Sequence, residues 1–346
     1  MFGHSSFLPA ATGSVLPDFE FETVIYTGNS STQSITGVGF QPDLVWIKRR
    51  NTSEDHAWFD SVRGALKQIS SNLTAAEYTT ASPYEGLSSF DSDGFTTGNN
   101  GATNRSPNTY VSWNFKAGGA AVSNTEGSIT SQVSASTGFS IVSYTGSSPN
   151  KTIGHGLGVT PEFIIVKNRD TTGNGWATQS PFSGGADYHM MLNLTQEAKN
   201  NVDWIWNDTE PTSTVFSVGQ NGISNQSGDD FIAYCFASVA GVSKIGSYTG
   251  TGSTGNVVST SVGGDAGFLP AFLLVKRSDA GSSNWFIYDN KRDTNPNGNF
   301  LIPNSAQAEA NLDAYSFYFN SNNFTVNSSD PQLNASGGTY IYMTFA

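Results

Sequence analysis

The apolar positions of this chain fall into short runs that predict β-strands. Three runs begin with proline, continue as bulky apolar residues and end in lysine: 42–48, 161–167 and 270–276. Proline is tolerated at the first residue of a strand, and bulky apolar residues that fill a core indicate a central strand of a sandwich. Three later runs alternate with period two, as half-buried antiparallel strands do, at 110–115, 231–236 and 340–345. The pattern therefore predicts an all-β protein.

These features recur in the same order three times. A Tyr-Thr-Gly triplet begins each copy, at Tyr26, Tyr144 and Tyr248. The proline-initiated run follows, and a tryptophan comes after it at a steady interval, at Trp58, Trp176 and Trp285. Each copy then closes on an alternating aromatic strand. Ordered repetition of several features predicts three copies of one structural module.

The length and content of one copy favour a sandwich. About 100 residues with several short strands and glycine-rich turns are typical of a β-sandwich or jelly roll. We therefore predict three tandem β-sandwich modules, jelly-roll-like and lectin-like, preceded by a short extended N-terminal arm. The expected boundaries are 1–18 for the arm, 19–115 for module one, 116–138 for a linker or peripheral strand, 139–240 for module two and 241–346 for module three.

Two local patterns and the arm complete the predicted architecture. Phe90–Phe95 contains Asp-Gly between apolar residues and predicts a β-hairpin. Two short segments, 74–77 and 305–310, have helix-forming composition. The arm has apolar residues that we expect to dock onto an assembly, among them Phe2, Phe7 and Leu8.

Charge and composition exclude several classes of protein. The net charge is −12 with only 13% charged residues, whereas nucleic-acid binders need clustered Lys and Arg. We therefore expect no nucleic-acid partner. The single cysteine, Cys235, excludes an intrachain disulfide, and its apolar surroundings predict a buried thiol. No run approaches 18 apolar residues and the N-terminus lacks a signal-peptide pattern, so we expect no membrane insertion and synthesis in the cytoplasm.

No motif for catalysis or metal binding stands out. The four histidines have no metal-ligand spacing with one another or with cysteine, and no nucleophile elbow is present. Asp91 and Asp93 could ligate calcium, but Asn320 and Asn322 replace them in the third copy, which favours a plain turn. We predict no metal, no cofactor and no enzymatic activity. A pair of glycosidase carboxylates stays open, because their separation depends on the tertiary structure.

Two sets of residues have both a functional and a structural interpretation. Asp60 with Arg63 and Asp289 with Arg292 could bind a polar ligand, but their recurrence favours a structural ion pair.

The second set is Trp204 and Trp206, which lie among polar residues and could stack on a sugar; the alternative is that they belong to the core. We carry these two residues forward as candidate glycan contacts.

Module one resembles a known family. Its segments 40–48, 59–64, 88–95 and 110–119 form an ordered motif set. The set resembles a repeat domain of tailed bacteriophages of marine bacteria and cyanobacteria, whose members are commonly described as tail-fibre or virion structural proteins. The resemblance covers residues 19–346 and is strongest in module one. It implies a structural role and carries no catalytic or ligand-binding residues.

The resemblance leads to three functional hypotheses. The first is a virion protein on the surface of the particle, either a short tail fibre for host attachment or a capsid decoration protein. The second is a glycan-binding module, and the third is a glycan hydrolase of the tailspike kind. Under the first hypothesis the chain is made in the host cytoplasm, released by lysis and found in the virion. Its partners would be other virion proteins, further copies of itself, with a trimer as one form, and a host surface glycan.

Overall fold

The computed structural model describes residues 18–200, 203–294 and 298–346. Antiparallel strands and turns make up nearly all of it, which confirms the predicted all-β, sandwich-like fold. Each module has an inner sheet and a smaller outer sheet. Alternate residues of each strand face opposite sides, so each inner sheet has two faces to bury.

Module one contains nine strands: β1 (Phe21–Thr27), β2 (Gln33–Thr36), β3 (Leu44–Arg49), β4 (Ala57–Asp60), β5 (Lys67–Gln68), β6 (Tyr78–Thr79), β7 (Leu87–Asp91), β8 (Gly94–Thr97) and β9 (Thr109–Phe115). Its inner sheet has the order β1-β9-β3-β4 and its outer sheet the order β2-β8-β7. The closing strand β9 thus lies between β1 and the proline-initiated strand β3.

Module two contains ten strands: β10 (Val122–Asn124), β11 (Ser131–Ser136), β12 (Phe139–Thr145), β13 (Lys151–Gly154), β14 (Phe163–Asn168), β15 (Trp176–Gln179), β16 (Tyr188–Met191), β17 (Lys199–Asn200), β18 (Val215–Val218) and β19 (Asp230–Phe236). Its inner sheet has the order β10-β11-β12-β19-β14-β15-β16-β17, and β13 pairs with β18. Strands β10 and β11 come from residues 116–138, where a linker or a peripheral strand was expected.

Module three contains nine strands: β20 (Ser243–Thr249), β21 (Asn256–Ser259), β22 (Phe272–Arg277), β23 (Trp285–Asp289), β24 (Asn299–Phe300), β25 (Ala310–Asn311), β26 (Ser316–Asn320), β27 (Asn323–Asn327) and β28 (Thr339–Phe345). The inner sheet β20-β28-β22-β23 and the outer sheet β21-β27-β26 repeat the arrangement of module one.

Among the residues that the structure describes, helical structure is confined to single turns. They are α1 (Gly101–Asn104), α2 (Pro331–Asn334) and three 3₁₀ turns, Pro181–Ser183, Gly185–Asp187 and Asp313–Tyr315. The two segments with helix-forming composition, 74–77 and 305–310, are not helical, so that prediction is wrong. In both segments the backbone bonds to a neighbouring module, as in Glu77 N–H to the Arg169 carbonyl at 2.6 Å. The predicted hairpin is confirmed, since β7 and β8 pair from Asp91 with Gly94 onward.

The three inner sheets share one central core. On β3, Leu44 and Trp46 face this core, whereas Val45 and Ile47 face the outer sheet of their own module. The same division holds in modules two and three, whose private cores are separate clusters. The modules are therefore parts of one packed body, because removing any module would expose the shared apolar face of the other two.

The modules surround a pseudo-threefold axis. Phe115, Phe236 and Phe345 occupy the same register position at the ends of the three closing strands. Their ring centroids lie 6.1, 5.6 and 6.1 Å apart, so the three rings form a nearly equilateral group. Phe19 packs beside this group, with its centroid 5.3 Å from that of Phe345. We call this end of the molecule the arm pole, because the segment 1–17 joins the described fold here.

Candidate functional site

Two grooves lie at the end of the inner sheets opposite the arm pole. The Trp204 groove, of about 480 Å³, is lined by Asp203, Trp204, Gln220, Asn221 and Gly222. The Tyr84 groove, of about 420 Å³, is lined by Ser30, Tyr84, Asn99, Gly101 and Arg105. Both volumes suit a small ligand or a short segment of a polymer.

The position of the grooves follows from strand direction. Strand β1 begins at Phe21, opposite Phe115 near the axis, and ends at Thr27, opposite Thr109. The loops that continue beyond Thr27 and precede Thr109 therefore lie at the far end of the sheet. In module two the pair Thr145 and Asp230 marks the same end. We call it the groove pole.

One exposed aromatic ring stands in each groove. The exposed fraction is 66% for Trp204 and 65% for Tyr84, the two largest values among the aromatic side chains described. The other six tryptophans are all buried. Exposing a large aromatic ring forgoes the stabilisation that burial gives, about 1.5–3 kcal/mol for a large apolar side chain. The exposure of these two rings therefore calls for a functional explanation.

A shared backbone frame makes the two grooves equivalent. Asn104 donates from Nδ2 to the Gly98 carbonyl at 3.0 Å, and Asn225 makes the same bond to Gly219 at 2.8 Å. A Cβ atom on Gly219 would lie 2.4 Å from the Trp204 carbonyl oxygen. Only glycine fits there, so the aromatic loop lies directly against the frame.

Module three has the same frame without the exposed ring. Asn334 donates from Nδ2 to the Ser328 carbonyl at 2.8 Å. The nearby aromatic residue, Tyr315, is only partly exposed, and its ring packs 5.6 Å from Phe286 and 5.5 Å from Phe300. The Gln332 amide donates to the Tyr315 hydroxyl at 3.1 Å. The third module thus turns its aromatic side chain inward.

The two tryptophans carried forward from the sequence have different environments. Trp204 lies in the groove, but Trp206 is only 2% exposed and belongs to the private core of module two. A buried indole cannot stack on an external sugar, so the structure contradicts Trp206 as a glycan contact. Tyr84 was not among the glycan contacts predicted from the sequence, although the turn residues around it, Pro83 and Gly86, could have indicated an exposed loop.

The first recurrent acid–base pair lies at the junction of modules one and two. Arg63 Nε is 2.5 Å from Asp60 Oδ2, and both side chains are fully buried. Arg63 also contacts Glu77 at 3.0 Å, and Glu77 binds Arg169 of module two through both carboxylate oxygens, at 2.9 and 3.0 Å. The Tyr234 hydroxyl donates to Asp60 at 2.7 Å. We call these five residues the first polar junction.

The charges of this network perturb the pKa values of its members. Burial by itself would lower the pKa of Arg63, but Asp60, Tyr234 and Glu77 outweigh burial and raise it. Burial would raise the pKa of Glu77, but hydrogen bonding from Arg169 and the charges of both arginines lower it. Arg63 and Glu77 therefore both stay ionised at neutral pH.

The second recurrent pair forms the same network between modules three and one. Arg292 Nε is 2.5 Å from Asp289 Oδ2, and Arg292 contacts Glu309 at 2.9 Å. Glu309 binds Arg50 of module one at 2.8 and 3.0 Å. The Trp113 indole donates to Asp289 at 2.9 Å. These five residues form the second polar junction, so both pairs lie within the protein and away from the grooves.

The junction between modules two and three has no such network. Strand register and backbone bonds place the following residues at the five equivalent positions: Ser180, Ser183, Ala198, Ser278 and Met343. Ala198 N–H still donates to the Ser278 carbonyl at 2.8 Å, as Glu77 does to Arg169. Every charged side chain of the network is replaced here, and Met343 replaces the donor. We call this set the apolar junction, because it contains no charged side chain and an apolar one, Met343, takes the place of the donor.

Ring nitrogens bridge all three junctions. Trp176 Nε1 donates to the Ser70 carbonyl and Trp285 Nε1 to the Met191 carbonyl, both at 3.0 Å. In module one His56 takes this role, with Nε2 3.0 Å from the Ile302 carbonyl. The equivalent of Trp176 and Trp285 is therefore His56, and the expected steady tryptophan interval is wrong for Trp58, which pairs with Trp46.

The proline-initiated strands each bury one lysine. Lys48, Lys167 and Lys276 are fully buried, and burial lowers the pKa of each to about 8. Each ammonium donates to a backbone carbonyl, as Lys167 does to Asn174 at 3.0 Å. In every module the buried lysine is therefore bonded to the backbone of the fold and lies away from the surface.

The remaining candidates are accounted for as follows. Asp93 accepts hydrogen bonds from Gly39 and Gly37, which lower its pKa and tie the turn to a neighbouring loop. The described residues contain no cluster of three or more metal-ligating side chains, and no helix among them is long and apolar enough to cross a membrane. Cys235 is buried. Phe2, Phe7 and Leu8 lie outside the described residues.

Fold and grooves define a three-module, all-β protein with aromatic grooves at one pole. A family model described as a domain of unknown function, DUF7483, matches residues 17–346, and the chain belongs to this family. The comparisons found no match among curated proteins and none among solved structures.

Proposed function

We propose that this chain is a non-enzymatic structural protein of a tailed-bacteriophage virion, displayed on the particle surface as a short tail-fibre component for host attachment. The proposal takes up the resemblance of the module-one motifs, and one structural observation carries it: Phe19, near which the described fold begins, and the grooves lie at opposite poles. An attachment protein needs one end for the particle and the other for the host.

The arm pole supplies a suitable anchor geometry. Phe19 lies beside the axial group of Phe115, Phe236 and Phe345, and its backbone N–H donates to Thr137 at 3.1 Å. The segment 1–17 is therefore followed in the chain by a firmly packed point near the axis. In this proposal the apolar residues of that segment, Phe2, Phe7 and Leu8, bind other virion proteins.

The recurrent polar residues support a structural role. Asp60, Arg63, Asp289 and Arg292 are all buried at junctions, where they join modules. The Trp204 groove has one lining carboxylate, Asp203, and the residues that line the Tyr84 groove include none. A glycan hydrolase uses a pair of carboxylates across the bond it cleaves, so these two grooves favour binding over hydrolysis.

The alternative role is a capsid decoration protein, because a segment that joins the fold at one pole also suits a protein bound to the head. The two roles differ in where the chain lies on the particle. Immunogold electron microscopy of purified phage that encode this chain separates them. We expect label at the tail; label spread over the head would establish decoration, and particles without label would contradict both roles.

A matched variant tests the anchor. Phage whose copy of the chain lacks residues 2–17 should form particles without label, because the arm is removed while the described fold is kept. A chain with Tyr318→Ala, which changes one exposed residue of module three, should be incorporated as the wild type is. Full incorporation of the arm-less chain would contradict the arm as the anchor.

A further inference from the structure

We propose that the Trp204 and Tyr84 grooves are two equivalent binding sites for the uncharged part of a bacterial surface polysaccharide. The inference deepens the proposed function, since it names what an attachment protein would bind, and rests on it only for the biological source of the glycan. The binding itself can be tested on the purified chain.

The exposed aromatic rings of the two grooves suit the apolar face of a sugar. Sugars bind proteins by stacking their C–H faces on exposed aromatic rings, an apolar contact that needs a ring free of other partners. Trp204 and Tyr84 are the rings in this condition, at 66% and 65% exposure. No other tryptophan is exposed, so the position of Trp204 is an exception within its own protein.

Each groove contains one residue with left-handed backbone. Asp203 has φ +69° immediately before Trp204, and Ser30, which lines the Tyr84 groove, has φ +61°. Left-handed backbone is unfavourable for residues other than glycine and persists where the surrounding structure requires it. At Gly219 the close approach of the Trp204 carbonyl supplies that requirement.

The polar surface around each ring suits the hydroxyl groups of a sugar. Gln220 and Asn221 line one groove and Asn99 the other. Amide groups both donate and accept hydrogen bonds, which matches the hydroxyl groups of a sugar. Gly222 and Gly101 also line the two grooves, and they occupy the same place in the frame, three positions after Gly219 and Gly98.

Charge identifies the part of the glycan that both grooves share. The Trp204 groove contains Asp203 and the Tyr84 groove contains Arg105, so the two have opposite charges. A phosphate or carboxylate that suits one groove would be repelled or unpaired in the other. Neutral sugar units are compatible with both.

Two grooves at one pole would also give avidity. A polysaccharide repeats its units, so one polymer can occupy both grooves, and the second contact is then intramolecular. Loss of either ring should therefore weaken polymer binding by more than the loss of one independent site would. Module three lacks an exposed ring in the same frame and contributes no third site.

The test is an array of bacterial O-antigens and capsular polysaccharides, probed with the full-length chain. We expect retention on one or more neutral polysaccharides. Trp204→Ala and Tyr84→Ala should each weaken binding about tenfold or more, and the double variant should abolish it. Tyr318→Ala, an exposed tyrosine outside the grooves, is the matched control and should bind as the wild type does.

Iodide quenching of tryptophan fluorescence gives an independent measurement. Because Trp204 alone is exposed among the seven tryptophans, the quenchable signal should come from it and should disappear in Trp204→Ala. The retained polysaccharide should protect this signal in the wild type.

The outcomes are distinguishable from those of the virion test. Absence of retention on every polysaccharide, or wild-type binding by the double variant, would overturn the inference. A chain that binds glycan but is absent from phage particles would contradict the proposed function and leave the grooves as glycan sites.

Discussion

Two of the three module junctions contain a buried network of charged side chains, and the third, the apolar junction, has no charged side chain at the equivalent positions. The same backbone hydrogen bond spans each of the three. At the polar junctions, an aspartate accepts a hydrogen bond from the closing strand of the next module, through Tyr234 or Trp113. At the apolar junction Ser180 replaces the aspartate and Met343 replaces the donor. Acceptor and donor are thus lost together.

The joint replacement has a simple energetic reason. A buried aspartate without its arginine would be an uncompensated charge, and breaking a buried pair in this way costs about 3–5 kcal/mol. A junction that lacks the acid therefore gains nothing from a donor and is better filled by an apolar side chain. In these three junctions the buried acid–base network and its donor are therefore either all present or all replaced.

The largest expected effect comes from breaking a polar junction. Arg63→Ala leaves Asp60 and Glu77 without their shared partner and should lower the free energy of unfolding by about 3–5 kcal/mol. Ser183→Ala, at the equivalent position of the apolar junction, removes one hydrogen bond to the Ser180 carbonyl and should cost about 1 kcal/mol. Urea unfolding followed by fluorescence measures both; equal losses would refute the distinction between the junctions.

A smaller effect isolates the donor. Tyr234→Phe removes only the hydroxyl that donates to Asp60, and a hydrogen bond to a charged group contributes about 1.5–3 kcal/mol. Met343→Leu, the volume-conserving change at the apolar junction, should cost less than about 1.5 kcal/mol because no polar group depends on it. The same unfolding experiment applies, and a neutral Tyr234→Phe variant would show that Asp60 does not need this donor.

The smallest effect is a dependence on pH at the first polar junction. The pKa of Glu77 is lower in the folded state than its ordinary value of 4.5, because of Arg169 and Arg63. Its contribution to stability is therefore complete above pH 4.5 and is lost as the pH falls through the folded-state pKa.

Glu77→Gln is the variant that shows this dependence. It should be less stable than the wild type at pH 6, and the difference should shrink as the pH falls from 4.5 toward the lowered folded-state pKa of Glu77. Thermal unfolding of both proteins across this range is the measurement. A difference that stays constant from pH 6 to pH 3 would mean that the charge of Glu77 does not stabilise the junction.

The sequence by itself determined the strands and their repetition. Proline-initiated runs and alternating closing strands depend on local chemistry, and each was found as a strand in the structure, as in β3 and β9. The sequence also brought Asp60 close to Arg63, because Arg63 follows Asp60 by three positions along a turn. It did not indicate the non-helical course of 74–77, since helix-forming composition is a local preference that bonds to a neighbouring module override.

Only the tertiary structure decided how the modules close on one another and which aromatic ring is exposed. Glu77 and Arg169 are 92 residues apart, so no local pattern connects them. Trp204 and Trp206 share one polar-flanked segment, and a strand would have placed both on the same side. The left-handed backbone at Asp203 and Asn207 instead makes turns around them, which leaves Trp204 outside and Trp206 in the core. Burial depends on where the whole chain passes, and residue type alone does not specify it.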